Sequence, residues 1–226
     1  MNDTIQQNKL ALFTEHLTLS NLAFSSDLKE EALTVLASND FPTTRQEDWK
    51  YTRVGRIASI KAIQNQQNSS ISLPEMVDDS MLLFVFENGR FRADLSSSTI
   101  PSGIKIKALS SCKSDELSLV GSLVKQENQV FTALNTAYAS DGILIHIERN
   151  QKISSSIHVL NILSGENTAS FTRNLIVCED FGQAHIIQEY RSQEANSSVT
   201  NVITEIFVGA NANLTVDKIQ HEEQGN

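Results

Sequence analysis

From about Gly142 to Gln220 the chain is a series of short alternating segments with turn signals between them and no helix pattern. The period-two runs predict strands at 143–147, 157–163, 174–177, 184–190, 202–208 and 214–220. Ser164-Gly165, Phe181-Gly182, Asn196-Ser197-Ser198 and Gly209-Ala210-Asn211 punctuate them. In 202–208, Val202, Thr204, Ile206 and Val208 share one face, and Ile203, Glu205 and Phe207 the other. After residue 140 no segment is long enough for a helical crossover between parallel strands. A sandwich, a barrel or a solenoid remains. Sandwich strands turn every 8–12 residues or about that. The looser spacing here, with small polar corners at Asn196-Ser197-Ser198 and Asn211-Ala212-Asn213, favours a coiled solenoid.

Bulk properties exclude several function classes. The net charge is −9, which disfavours nucleic-acid binding, and aromatics make up only 6%, too few for base-stacking platforms. No apolar run approaches the ~20 residues of a membrane span. Met1-Asn2-Asp3-Thr4 lacks a signal-peptide pattern, so a cytoplasmic location is expected. Two cysteines, Cys112 and Cys178, form neither a disulfide framework nor a local metal knuckle. With 226 residues, the expected division is an N-terminal helical region (1–70), a mixed α/β lead-in (71–140) and a β core (141–226).

Ahead of the strands, helices are predicted at 4–18, behind Asn2-Asp3-Thr4, and at 27–37, capped by Ser25, Ser26 or Asp27. Thr44 and Glu47 fit a capping box, and the lone Trp49 is expected to pack firmly beside Tyr51. Arg45, Lys50, Arg53 and Arg56 form a positive cluster. Pairing with Glu47, Asp48 and nearby surfaces is the preferred explanation, and an anion or partner site the alternative. Residues 61–80 read as a polar linker. Asn88-Gly89 predicts a hairpin after the apolar run 81–86, and 104–108 a further strand. Helices are predicted at 115–123 and 128–139.

Arg45, Glu47, Trp49, Lys50, Tyr51 and Thr52, behind Pro42, carry a resemblance. They are similar to the N-terminal signature of the SufB/SufD family of iron–sulfur cluster assembly scaffolds, nearer its SufD branch. Phe131–Ala137 leading to Asp141-Gly142-Ile143 resembles the family's entry into its β core. Arg173-Asn174-Leu175-Ile176-Val177 and Asn201-Val202-Ile203-Thr204-Glu205 resemble core strands. The resemblance implies a mainly β fold with an N-terminal α-helical region, a right-handed parallel β-helix truncated at the C-terminus. It implies a non-catalytic scaffold subunit, with a SufB-like scaffold and a SufC-like ATPase as partners of the full-length protein. An iron–sulfur cluster and reduced flavin are implied only for the family's full complex, and no cofactor is expected within this stretch. The chain ends soon after a strand, so it is expected to be an N-terminal fragment whose last strand frays or self-associates.

Candidate chemistry is sparse. Cys178 follows an apolar strand and Cys112 has Lys113 beside it, but a small buried residue is the preferred reading of each. His146, His158 and His185 lie on predicted strands; a particular register could gather them as metal ligands, but the sequence does not fix the register, and separate positions are the preferred reading. His16 and His221 read as surface residues. Glu205 shares a face with Asn201. If buried, it is a functional candidate, but the solvated face is preferred. Glu179, Asp180, Glu189, Glu194 and Glu205 keep open a carbohydrate-acting β-helix enzyme, without an acidic cluster to support it. A generic β-solenoid interaction module is the other alternative. No phosphate-binding loop, HExxH, GxSxG or CxxC is present. No catalytic residue is assigned, and cofactor and metal ligands are unknown from sequence.

Overall fold

The computed structural model describes residues 8–64, 71–74 and 80–222. Alternation of apolar side chains sets the strands. In β3 (Ile104–Ala108), Ile104, Ile106 and Ala108 are buried while Lys105 and Lys107 are exposed. β1 (Leu82–Glu87) turns through Asn88 (φ 50°) and Gly89 (φ 79°) into β2 (Arg90–Phe91), the hairpin the dipeptide predicts. The later strands are β4 (Ile143–Ile147), β5 (Ile157–Ser164), β6 (Ala169–Cys178), β7 (Gln183–Gln193), β8 (Val199–Val208) and β9 (Asn213–His221). All six match predicted strands, with β6, β7 and β8 extending further than alternation indicated.

From β4 onward, successive strands alternate between two sheets. One has the order β2-β1-β5-β7-β9, the other β3-β4-β6-β8. Parallel partners from β4 onward, such as Gln183↔Asn213 and Asn174↔Thr204, lie about 30 positions apart, while β1 and β5 pair over a longer gap, as in Leu82↔Ile157. The two sheets share an apolar core of Phe84, Phe86, Ile106, Ile145, Ile157, Val159, Ile176 and Ile186. Each such side chain, fully buried, contributes roughly 1.5–3 kcal/mol.

The expected right-handed parallel β-helix is corrected here. Both sheets are mixed: β1 and β2 pair antiparallel, as do β3 and β4. Among the described residues no closed solenoid forms, and the architecture is an α/β arrangement of two sheets with helices packed on it. Alternation identifies strands but carries no information on which strands pair, or in which direction.

Among the described residues, three α-helices flank the sheets. α1 (Lys9–Thr14) is shorter than its predicted 4–18 span. Residues 4–7 of that prediction and its Asn2-Asp3-Thr4 cap lie outside the described residues, and the Asn8 side chain caps the helix at Ala11 N, 3.0 Å away. α2 (Ser26–Ser38) is capped by Ser25. α3 (Val130–Tyr138) buries most of its length. Leu10, Phe13, Phe41, Val54, Leu134 and Phe171 form a second core between these helices and the start of β6. The predicted helix at 115–123 is instead a run of turns, and the Thr44/Glu47 box does not form. Gln46 Oε1 accepts from Thr43 N at 2.9 Å, ahead of a 3-10 turn at Glu47–Trp49. Of the predicted 61–80 linker, 65–70 and 75–79 lie outside the described residues.

Gly142 opens β4 where a Cβ would stand 1.6 Å from the Arg173 carbonyl oxygen, while Gly55 has open space. Gly142→Ala should therefore cost at least about 3 kcal/mol in urea unfolding, and Gly55→Ala close to nothing.

Candidate functional site

The site centres on a charge buried in the sheet. Arg173, in β6, has no exposed surface, and Glu205, in β8, is 1% exposed. Arg173 Nη2 donates to Glu205 Oε1 at 2.6 Å and Nε to the same oxygen at 3.1 Å. Glu205 also accepts from the backbone N–H groups of Gly121 (2.8 Å) and Leu123 (3.1 Å). Burial pulls the Arg173 guanidinium below its ordinary value, and the carboxylate beside it offsets part of that. Asn135, on α3, donates to Thr172 O at 2.8 Å and to Asn201 O and Oδ1 at 3.1 Å. Asn201 donates back to Phe131 O at 2.9 Å. The cluster ties α3, β6, β8 and the 121–123 loop together.

The structure thus corrects the solvated reading of Glu205. Arg173 was not singled out at all. Its signal was an isolated charge in an apolar strand, answered by one carboxylate of opposite sign in a strand one pairing step further on. Asn135, Arg173, Asn201 and Glu205 belong to the three core stretches that carry the sequence resemblance, and tertiary structure brings those stretches together.

Beside the cluster, Phe131 joins the core to the signature segment. Trp49 packs on Phe131 with ring centroids 5.3 Å apart, and Phe41 lies 5.9 Å from the same ring. Trp49 packs as expected, but Tyr51 does not: it is 91% exposed. A cavity of about 320 Å³ opens next to Phe131, Phe171, Tyr190, Asn201 and Ile203, with the Lys218 ammonium 5.1 Å from the Tyr190 ring centre.

The histidines do not converge. His146 meets Glu179 at 2.7 Å, His158 meets Glu189 at 2.8 Å, and His185 meets Asp217 at 2.8 Å. Each pair links strands or strand ends adjacent in a sheet, and the pairs are distributed over both sheets. His16 and His221 are exposed, as expected. Among the described residues no group of three His, Cys, Asp or Glu side chains could hold a metal. Both cysteines are buried. Burial, with Glu116 adding and Lys107 opposing, pushes the Cys112 thiol up to about 11, and burial raises Cys178. Of the other acids, Asp180 pairs with Arg149 and Glu194 is exposed.

The polar contacts of Arg173, Glu205, Asn135 and Asn201 join α3, β6, β8 and the 121–123 loop into a docked two-sheet frame. Comparison with known proteins gives the frame its family. The family model "SufBD protein N-terminal region" matches residues 4–159, and "SUF system FeS cluster assembly, SufBD core domain" matches residues 161–226. The chain therefore belongs to the SufBD family of iron–sulfur cluster assembly proteins. It is 26% identical over 208 residues to an iron–sulfur cluster assembly SufBD family protein of Synechocystis, covering 83% of this chain and 45% of that protein. It is 28% identical over 204 residues to the iron–sulfur cluster assembly protein SufD of Escherichia coli, covering 85% and 45%. The SufD of Bacillus subtilis is 26% identical over 103 residues, covering 45% of this chain and 24% of that protein. The chain spans about 45% of the length of the first and second of these relatives. No helix among the described residues is long and apolar enough to cross a membrane.

Two measurements test the energetics. Arg173→Met strands a buried carboxylate and should cost about 3–5 kcal/mol in urea unfolding. Adding Glu205→Gln removes that charge but keeps an acceptor for Gly121 and Leu123, so the double variant should lose less than the single.

Burial raises the Glu189 carboxyl, but hydrogen bonds from Arg191 and His221 outweigh it and hold the group below its ordinary 4.5. A depressed carboxylate stabilises the fold fully above pH 4.5, and the contribution is lost as pH falls through the folded pKa. Thermal unfolding of Glu189→Gln should therefore show a shallower acid limb than wild type below that pH.

Proposed function

We propose that this chain is a SufD-like scaffold component of an iron–sulfur cluster assembly complex, acting with a SufB-like scaffold and a SufC-like ATPase. The observation that carries the reading is the pair of consecutive family-model matches across both segments, with SufD proteins among the relatives. The Arg173–Glu205 cluster supports an architectural part. Its donors and acceptors are turned on one another, so it locks helix, strands and loop rather than presenting a reactive atom. In this reading the chain is not itself an enzyme. The cluster is cargo of the whole assembly, ATP is turned over by a separate subunit, and reduced flavin, if used, belongs to the complex. The setting is the cytoplasm.

Immunoprecipitation of the native protein from its source cells, followed by mass spectrometry, tests this. Recovery of an ATPase subunit and a second SufBD family chain at comparable abundance is the expected result. Recovery of the protein without either overturns the reading.

A further inference from the structure

The signature segment turns its Trp inward and its Tyr outward. Trp49 is half-buried on Phe131, whereas Tyr51 stands in solvent with the Lys50 ammonium 5.6 Å from its ring centre. Next along the chain, Thr52 and Arg53 line a cleft of about 430 Å³ between this segment and the start of α1. Thr43, Thr44 and Lys9 form its polar rim, over a floor that includes the buried Phe41 and Val54.

Two observations give this surface a charge preference. Residues 41–60 carry four cations against two carboxylates, in a chain of net charge −9. Among the described residues no carboxylate lies within ion-pair distance of the Lys9, Arg45 or Arg53 side chains, and the one ion pair on the turn, Lys50–Glu47, is a loose 3.9 Å contact. Asp40 also lines the cleft, but its carboxylate accepts from Leu10 N at 2.9 Å, Phe41 N at 2.7 Å and Lys9 N at 3.4 Å. Single exposed ion pairs contribute little. An exposed aromatic beside unpaired arginines is the composition of an interface hot spot, because the ring excludes water from the charges around it. The field of an otherwise acidic chain repels polyanions less where cations cluster, which favours an acidic partner at this face.

We propose that this cleft docks an extended acidic peptide segment of a partner protein. Carboxylates of the segment meet Lys9 and Arg53, and an apolar side chain packs on Tyr51 and the Phe41/Val54 floor. The inference takes its setting from the complex-forming reading above, and its test addresses the surface directly.

The probe is a short fluorescein-labelled peptide of alternating glutamate and phenylalanine, titrated with the full chain at low salt. Anisotropy should show saturable binding, accompanied by a change in the fluorescence of Trp49, the only tryptophan. Arg53→Glu and Tyr51→Ala should each weaken binding about tenfold while leaving the unfolding midpoint unchanged, since both side chains are exposed. Lys105→Glu, on a remote strand, should leave binding unchanged. Absence of binding, or an equal loss in Lys105→Glu, overturns the proposal. Displacement by millimolar inorganic phosphate would indicate a small-anion subsite, and equal competition by single-stranded DNA a generic polyanion surface. Either overturns it. Peptide binding that persists where immunoprecipitation recovers no assembly partners would retain the surface and remove only the assembly reading.

Discussion

Taking a guanidinium and a carboxylate out of water costs several kcal/mol per ion, and their attraction offsets that only with good geometry and every remaining donor and acceptor engaged. Glu205 meets that condition, and Arg173 adds to its bonds with Glu205 a longer one from Nη1 to Asn135 Oδ1 at 3.5 Å. The carboxylate takes two bonds from Arg173 and further bonds from the Gly121 and Leu123 amides. The Arg173 carbonyl lies so close to Gly142 that no side chain fits there. The pair is thus compatible only with one docking of β6, β8 and the 121–123 loop. Asn135 and Asn201 extend the constraint to α3. A slipped strand would leave a buried charge uncompensated and a displaced α3 would leave buried amides unpaired, which makes register a matter of electrostatics as well as packing.

The division of labour between apolar and polar contacts follows from this. The core between the sheets is nearly all Ile, Val and Phe, and supplies cohesion without direction. Direction comes from polar pairs bridging neighbouring strands: Arg173 with Glu205, His158 with Glu189, His185 with Asp217. Each of these pairs joins its two side chains directly, while among the described residues the buried His158 Nδ1 has no partner. Burial raises the pKa of both thiols.

Much of this was legible in local sequence. The strands from Ile143 onward, the Asn88-Gly89 hairpin, α2 and α3 all follow from periodicity and turn chemistry, which act over a few residues. The 115–123 helix did not form. Its residues Leu117 and Val120 pack with Leu22, Phe24 and Leu109, and its Gly121 amide is held by Glu205, contacts that no local pattern records. Tyr51 was expected to share the burial of Trp49. The 3-10 turn at Glu47–Trp49 ends just before it, and Tyr51 is left in solvent.

Glu205 shows where local reading stops. Alternation separates the two faces of β8 but does not say whether one face is wet, because α3 and the 121–123 loop, which cover that face, lie far back in the chain. The sequence by itself determined the strands, their turns and the family signature, since these depend on dihedral preferences and side-chain spacing within about ten residues. Only the tertiary structure decided that the strands divide into two mixed sheets instead of closing as a solenoid, and that one arginine and one glutamate become a buried pair. The buried pair and the parallel pairings from β4 onward join residues about 30 apart, and side-chain alternation is the same whichever strand lies alongside.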